Sequence, residues 1–486
     1  MYFNSYIFIL AFLPVVLCGY YLINKTKKYR LGQMWLLAAS LMFIGYLNTW
    51  YTVFAALCIC IGYLFLICVT NKDKRVRIIG LTAGLLFHIG NLLYFKYCNF
   101  FIENLNVILA DKIPLRDIVL PIGISFYTFQ QIAYLVDCYR DLEIKADLLE
   151  YALYISFFPQ FLQGPILLHE DMLPFLRNQY NKTFSAAHFS KGLYAFALGL
   201  GKKVLLADNI AYLVNTGYAN ISELNTPSAL LTMTAYSLQL YFDFSGYCDM
   251  AVGLGEMFQI YMPVNFNSPY KAVSVTDIWS RWHITLTRFF TKYVYIPLGG
   301  NRKGSFRMYL NTFFVFLISG LWHGAAWTFI LWGILHGVAM VCSKLLKRCR
   351  IVLPKVIGWT GTFLFWVFSF AIFRASSLEE AKLLFGQFLN GGMGRIHPMF
   401  AEALENQMEV SVLQKMDFIG ILEQYPEMTA VLLVLLPLIG CLIMRNTQEK
   451  LQEFRYTYGK LFVTAILIFV SILSFTGVNV FLYSNF

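Results

Sequence analysis

Apolar runs long enough to cross a bilayer recur along most of this chain, and that repetition restricts the fold more than any single residue does. A spanning helix needs about 20 mostly apolar residues. Such runs fall at roughly 3–23, 31–49, 50–70, 78–98, 118–137, 190–214, 228–250, 308–345, 356–374, 428–444 and 460–482. Composition agrees. The chain is 58% hydrophobic and only 13% charged, with a mean hydropathy of +0.60, far from a soluble globular value. The expected fold is all-α: a polytopic integral membrane protein with about eleven transmembrane helices, plus re-entrant or interfacial helices around a central cavity or tunnel.

The first run lacks a basic leader and a small-residue cleavage site, so it reads as a retained span and not a signal peptide. Lys25, Lys27, Lys28 and Arg30 follow it, and Lys72, Lys74, Arg75 and Arg77 follow the third run. Both clusters fall on one side, the cytoplasmic one, if the N-terminus is outside. The net charge of +11 sits mainly at span ends, where anionic headgroups attract it, so the partner it implies is the lipid bilayer and not nucleic acid. The ten cysteines form no C-x-x-C pair and read as small hydrophobes. No linker or repeat divides the chain, so residues 1–486 are expected to form a single domain. Its motif-bearing core is expected at about 118–345, and an extramembrane loop with some helix at about 390–427.

Two segments are too apolar for loops and too broken for spans. "SFFPQFLQGPILLH" (156–169) holds two prolines and a glycine, and 265–304 mixes aromatics with Arg281, His283, Arg288 and Lys292. Irregular backbone persists at membrane depth only when buried in protein or lining a wet cavity. These segments are expected to build the interior. For 285–299 an amphipathic helix lying in the interface is an equal alternative.

The stretch "ISGLWHGAAWTFILWGILHG" (318–337) places His323 and His336 in an otherwise greasy run. The surrounding 308–345 would be about 57 Å of helix against a hydrocarbon core near 30 Å, so it must tilt strongly or break. Thirteen residues separate the histidines, a rotation of about 220° and a rise of about 20 Å on a straight helix. They cannot share a ligand, and no metal site is expected. Each lies just before the second glycine of a pair four apart, a spacing that lets a helix or a thin ligand approach the backbone. Helix packing is the plain reading of the glycines and an interhelical hydrogen bond the plain reading of a membrane histidine, above all for His336. Ionisable groups in spans otherwise mark functional sites.

In order along the chain, "PIGISFYTFQQIAYLVDCYR" (121–140), "FFPQFLQGPI" (157–166), "YFDFSGYCDMAVGLGEMF" (241–258), 265–304, "GLWHGAAWTFILWGILHG" (320–337) and the ending "FLYSNF" resemble the bacterial membrane-bound O-acyltransferases. The branch they resemble is that of alginate O-acetyltransferase and similar polysaccharide or peptidoglycan O-acetyltransferases. The resemblance places the family's catalytic histidine, in its "WHG" motif, on His323, and the partner histidine of its "RWH" motif on His283. The family pattern "FWRRWHIS" is here "IWSRWHIT", with Ile278, Ser280 and Thr285, a departure that touches substrate fit or packing more than chemistry.

The resemblance implies an acyl thioester, acetyl-CoA, as donor substrate, with no resident cofactor. A neutral imidazole at His323 would take the proton of an acceptor hydroxyl, and direct transfer or an acyl-enzyme are both open. Because the donor is cytosolic and an exported polymer is not, a relay to an extracytoplasmic acetyltransferase partner is expected in a bacterial cytoplasmic membrane. Supporting residues are Asp243, which would orient a histidine or fix packing through hydrogen bonds, Arg281, Trp322, Gly324 and His336. Gly324 would leave room for a pantetheine arm unless it packs against a helix. Lys202, Lys203, Arg302 and Lys303 are candidates for the donor phosphates unless they snorkel to headgroups. The rivals are D-alanyl transfer toward teichoic acids by a sibling enzyme, and a transporter or flippase, which would be expected to show repeats with paired broken helices.

Overall fold

The computed structural model describes residues 1–405, 407, 421–475 and 481–482. Its regular elements there are helices, and the one extended pairing is an isolated bridge between Phe266 and Trp282. Among the described residues five helices are long and apolar enough to cross a membrane: Phe8–Lys25, Thr49–Val69, Lys74–Asn106, Trp327–Arg348 and Lys355–Arg374; Met428–Ile443 and Tyr458–Leu473 are apolar but shorter. The count of eleven is therefore not reached by this measure. The run at 31–49 is a helix of 17 residues. That at 118–137 is helical only from Ile124. The run at 190–214 carries a π-helical turn at Lys202–Ala207.

The chain divides into two compact units, 1–196 with 248–264, and 197–247 with 265–482. In the first, α1 (Leu13–Lys25), α2 (Tyr29–Gly45), α3 (Thr49–Val69), α4 (Lys74–Asn106) and α5 (Ile124–Arg140) follow one another. Small residues set their spacing. A Cβ at Gly19 of α1 would lie 2.5 Å from the Trp35 ring of α2, and one at Gly80 of α4 would lie 2.5 Å from Cys68 Cβ of α3, the close approach that membrane helices use in place of a hydrophobic drive. Trp35 also donates its indole N–H to Val16 O across 3.0 Å. The stretch from Ser156 to Leu168, which holds one short helix at Phe158–Phe161, is buried throughout, which is how irregular backbone persists inside a membrane protein.

α6 (Ala186–Gly201) and α7 (Thr226–Phe258) have residues in both units, and the other helices named below belong to the second. Then come α8 (Ile284–Phe290), α9 (Ser305–His323), α10 (Trp327–Arg348), α11 (Lys355–Arg374), α12 (Met428–Ile443) and α13 (Tyr458–Leu473). On α8 Thr285, Leu286, Phe289 and Phe290 are buried, while Ile284, Thr287 and Arg288 are half-buried. Of the loop expected at 390–427, the described part contains short helices at Met399–Glu402 and Ile421–Gln424; residues 406 and 408–420 lie outside the described residues, as do 483–486 of the aromatic ending. All ten cysteines are free thiols.

Candidate active site

The long run at 308–345 breaks, and it breaks immediately after His323. Gly324 (φ −168°, ψ 158°) and Ala326 (φ −149°, ψ 155°) are extended, and α10 begins at Trp327. The two helices fold back on each other through glycine. A Cβ at Gly320 would lie 2.4 Å from Phe329 O and 2.9 Å from Gly333 Cα, and one at Gly333 would lie 2.7 Å from Phe316 O. No larger residue permits that approach without moving backbone. His323, the last residue of α9, is 3% exposed. Its ring meets Trp322 at 4.8 Å, Trp332 at 5.1 Å and Phe373 at 5.3 Å between centroids. An imidazole held among aromatic rings is shielded from water and from alternative orientations.

His283 precedes α8 with φ +45°, a left-handed conformation that a side chain with a Cβ adopts only when its surroundings enforce it. It is fully buried. Asn265 Oδ1 accepts from Thr285 N at 3.2 Å and Thr285 Oγ1 at 2.9 Å, and lies 3.1 Å from His283 Nδ1. A backbone N–H can only donate, which fixes that Asn265 atom as the carbonyl oxygen. Nδ1 must then carry the ring proton, leaving Nε2 as the basic nitrogen of the neutral imidazole. The Trp322 indole packs on both histidines, 6.3 Å from His283 and 4.8 Å from His323. The structure thus brings His283, Trp322 and His323 together, 40 residues apart in sequence at the extremes.

His336 belongs to a different arrangement. Trp279 Nε1 donates to its Nδ1 at 3.2 Å, so Nε2 is protonated and donates to Ser369 Oγ at 3.1 Å, whose own proton goes to Trp366 O at 2.9 Å. Both ring nitrogens are used, Nδ1 in tying α10 to the short helix Val275–Trp279 and Nε2 in tying it to α11. Two indole donors nearby, Trp332 Nε1 and Trp366 Nε1, are buried with no hydrogen-bond partner. An unmet buried donor costs about 1–3 kcal/mol, so an acceptor arriving beside either ring gains correspondingly.

The remaining expected site residues are placed elsewhere. Asp243 does not orient a histidine: its Oδ1 lies 2.8 Å from Lys203 Nζ and its Oδ2 accepts from Leu482 N at 3.0 Å. Lys203 also lies 2.8 Å from Asp208 Oδ1. At 2% side-chain exposure, with two carboxylates already on its ammonium, Lys203 holds the interior and is not presented to a donor phosphate. Lys202 reaches Thr447 Oγ1 at 3.3 Å, and Arg302 and Lys303 are exposed. Arg281 braces its own turn, donating to Asp277 Oδ1 at 2.8 Å and to Asn267 O at 3.2 Å. The space beside Gly324 is filled: a Cβ there would lie 2.1 Å from the Phe329 ring, which makes this glycine a packing position and removes the room expected for a thin ligand. Among the described residues no three His, Cys, Asp or Glu side chains gather as a metal site would require.

The apolar hairpin of α9 and α10 thus breaks beside a buried histidine, and a second buried histidine packs on the same indole. The description "MBOAT, membrane-bound O-acyltransferase family" matches residues 139–379, and all of these side chains lie within that range. Over a 518-residue alignment the chain is 37% identical to "Peptidoglycan O-acetyltransferase" of Helicobacter pylori, covering 100% of this chain and 97% of that protein. It is 37% identical to "Probable alginate O-acetylase AlgI" of Pseudomonas aeruginosa over 81% of this chain and 75% of the relative. With "Teichoic acid D-alanyltransferase" of Bacillus subtilis it shares 29% identity over 48% of this chain and 62% of that one. The chain belongs to the membrane-bound O-acyltransferase family.

Sequence reasoning missed Asn265, Asp208, Trp279, Trp332 and Ser369. Asp208 left a faint signal in "GLGKKVLLAD": on the π-helical turn, Asp208 N donates to Lys203 O five residues back, and that pitch brings the two side chains together. Asn265 left none, since its importance lies in a partner 18 residues away. Asn265→Ala is expected to lower turnover roughly ten- to a hundredfold, less than loss of an imidazole, and Asn265→Asp, which keeps an acceptor, to lose less. Equal turnover in all three proteins, measured as CoA thiol release, would mean that the ring's tautomer is immaterial.

Proposed function

We propose that this protein moves an acetyl group from cytosolic acetyl-CoA across a bacterial cytoplasmic membrane for O-acetylation of a cell-wall polymer, and that the polymer is peptidoglycan. The observation that carries the reading is His323, a buried imidazole at the point where two apolar helices part. The histidine removes the proton of the acceptor hydroxyl as its oxygen attacks the thioester carbonyl; the C–S bond breaks, and the proton passes to the departing CoA thiolate. No resident cofactor is needed. His283, with Nε2 as its basic nitrogen, helps hold the acceptor or the developing charge. The acceptor hydroxyl belongs to an extracytoplasmic acetyltransferase partner, which completes the transfer to the polymer. The N-terminus faces outward, so that the basic clusters at 25–30 and 72–77 lie on the cytoplasmic side, the arrangement that the positive-inside tendency favours.

Peptidoglycan is preferred over alginate because the relative named for it matches along the whole chain, whereas the alginate relative leaves a fifth of this chain unmatched. The similarity to a D-alanyltransferase sustains one rival, in which a carrier-bound D-alanyl thioester is the donor. Proteoliposomes containing the purified protein and its envelope acetyltransferase separate the two. Acetyl-CoA is expected to release CoA and label the partner, while D-alanyl carrier protein gives no transfer; the reverse pattern overturns the reading. Muropeptides from a deletion strain are expected to lose their O-acetyl esters.

A further inference from the structure

The first unit contains a cavity of about 710 Å³ that the acyl-transfer site does not use. One wall is α1, through Leu17 and Leu22; the other is Phe189 and Leu193. Leu22 is 66% exposed and Phe184 beside it 58%, so the trough opens sideways. It is apolar along most of its length, and from Leu13 to Lys25 that length is about 18 Å of helix. At one end the lining changes to Tyr21, Lys25 and Lys182.

Lys182 is the anomaly. It is 3% exposed, and its one hydrogen bond among the described residues is to Phe175 O at 3.2 Å. Among the described residues no carboxylate pairs with it; Glu256 of the same unit is engaged by His188 at 2.8 Å and Lys191 at 2.7 Å. Burial pushes the Lys182 ammonium down to about 8. An ammonium kept inside a protein ordinarily has a counter-charge. Just beyond it the chain carries Lys25, Lys27 and Lys28, all exposed and of the kind that draws anionic headgroups.

We propose that this trough is a binding site for one anionic phospholipid, with an acyl chain against Leu17, Leu22, Phe189 and Leu193 and its phosphate on Lys182 and Lys25. Basic pockets between transmembrane helices recognise lipid headgroups in this way. A zwitterionic lipid would set its own cation beside the lysines, so selectivity for the anionic headgroup follows from charge. The site is independent of the reaction proposed above, because none of its residues lies near His283 or His323 in sequence or belongs to their unit.

The test uses the purified, delipidated protein in mixed micelles with phosphatidylglycerol or phosphatidylcholine of identical chains, and counts retained lipid by native mass spectrometry. Wild type is expected to retain one phosphatidylglycerol in preference to phosphatidylcholine by roughly tenfold. Lys182→Gln is expected to abolish that preference, and Leu17→Trp, which fills the trough, to lower retention of both lipids. Melting of Lys182→Gln in phosphatidylcholine should be unchanged or higher, since a buried charge has been removed; only wild type should gain from added phosphatidylglycerol. Equal retention of the two lipids by wild type overturns the proposal, as does undiminished phosphatidylglycerol preference in Lys182→Gln. A trough that takes chains without regard to headgroup would show itself by the first of these results.

Discussion

Replacing His323 with alanine is expected to reduce acetyl transfer by two to four orders of magnitude, the usual contribution of a positioned general base. Alanine also leaves a void among Trp322, Trp332 and Phe373, whose rings pack on the imidazole, so part of the loss could arise from slackened packing. Glutamine resolves that ambiguity. His323→Gln fills more of the space and keeps a polar group, yet cannot take up a proton, so its turnover should be as low as that of alanine while its melting temperature stays closer to wild type. The measurement is CoA release from acetyl-CoA in proteoliposomes, run beside thermal melting in detergent. A variant that keeps more than about a tenth of wild-type turnover would remove His323 from the role of base.

The second large effect is on stability. Asp243→Ala leaves Lys203 buried with Asp208 as its remaining charged partner and leaves Leu482 N without the carboxylate it donates to. Removing one member of a buried ion pair costs about 3–5 kcal/mol. The expected result is a lowered melting temperature, together with freeing of the chain at Leu482, read as faster cleavage by carboxypeptidase. The paired replacement Lys203→Met with Asp243→Leu removes both charges, and Asp208, partly exposed, stays solvated. Its melting temperature should lie above that of Asp243→Ala, because hydrophobic replacement of a whole pair is often neutral or stabilising. If the double variant is as unstable as the single one, the cost comes from packing and not from an uncompensated charge.

Much of the candidate site was legible before any coordinates. Glycine pairs four apart announced close packing, and the structure seats Gly320 on Gly333. The excess length of 308–345 demanded a tilt or a break, and the break came beside the histidine that motif resemblance had singled out. His323 and His283 were both named from sequence. What was not legible was partnership. The same "G–x–x–H–G" dress surrounds His323 and His336, yet His336 is fully bonded to Trp279 and Ser369, residues 57 and 33 positions away. Lys203 read as a candidate phosphate ligand because the two carboxylates that hold it, one on the π turn and one 40 residues on, could not be set around it from the sequence.

The division has a physical cause. Hydrophobicity, helix length against bilayer thickness, and the spacing of small residues are properties of the chain taken a few turns at a time, and they sufficed to establish an all-helical membrane protein with ionisable groups at depth. Whether a buried polar atom is spent or available depends on which other helix lies opposite it, and that choice is made by packing across dozens of residues. Sequence by itself therefore determined the apolar surroundings, the helical class and the histidines of this protein. Only the tertiary structure decided that the helix breaks at Gly324, that Asn265 sets the proton on His283, that Phe329 fills the space beside Gly324, and that Lys203 is held by acids within its own fold.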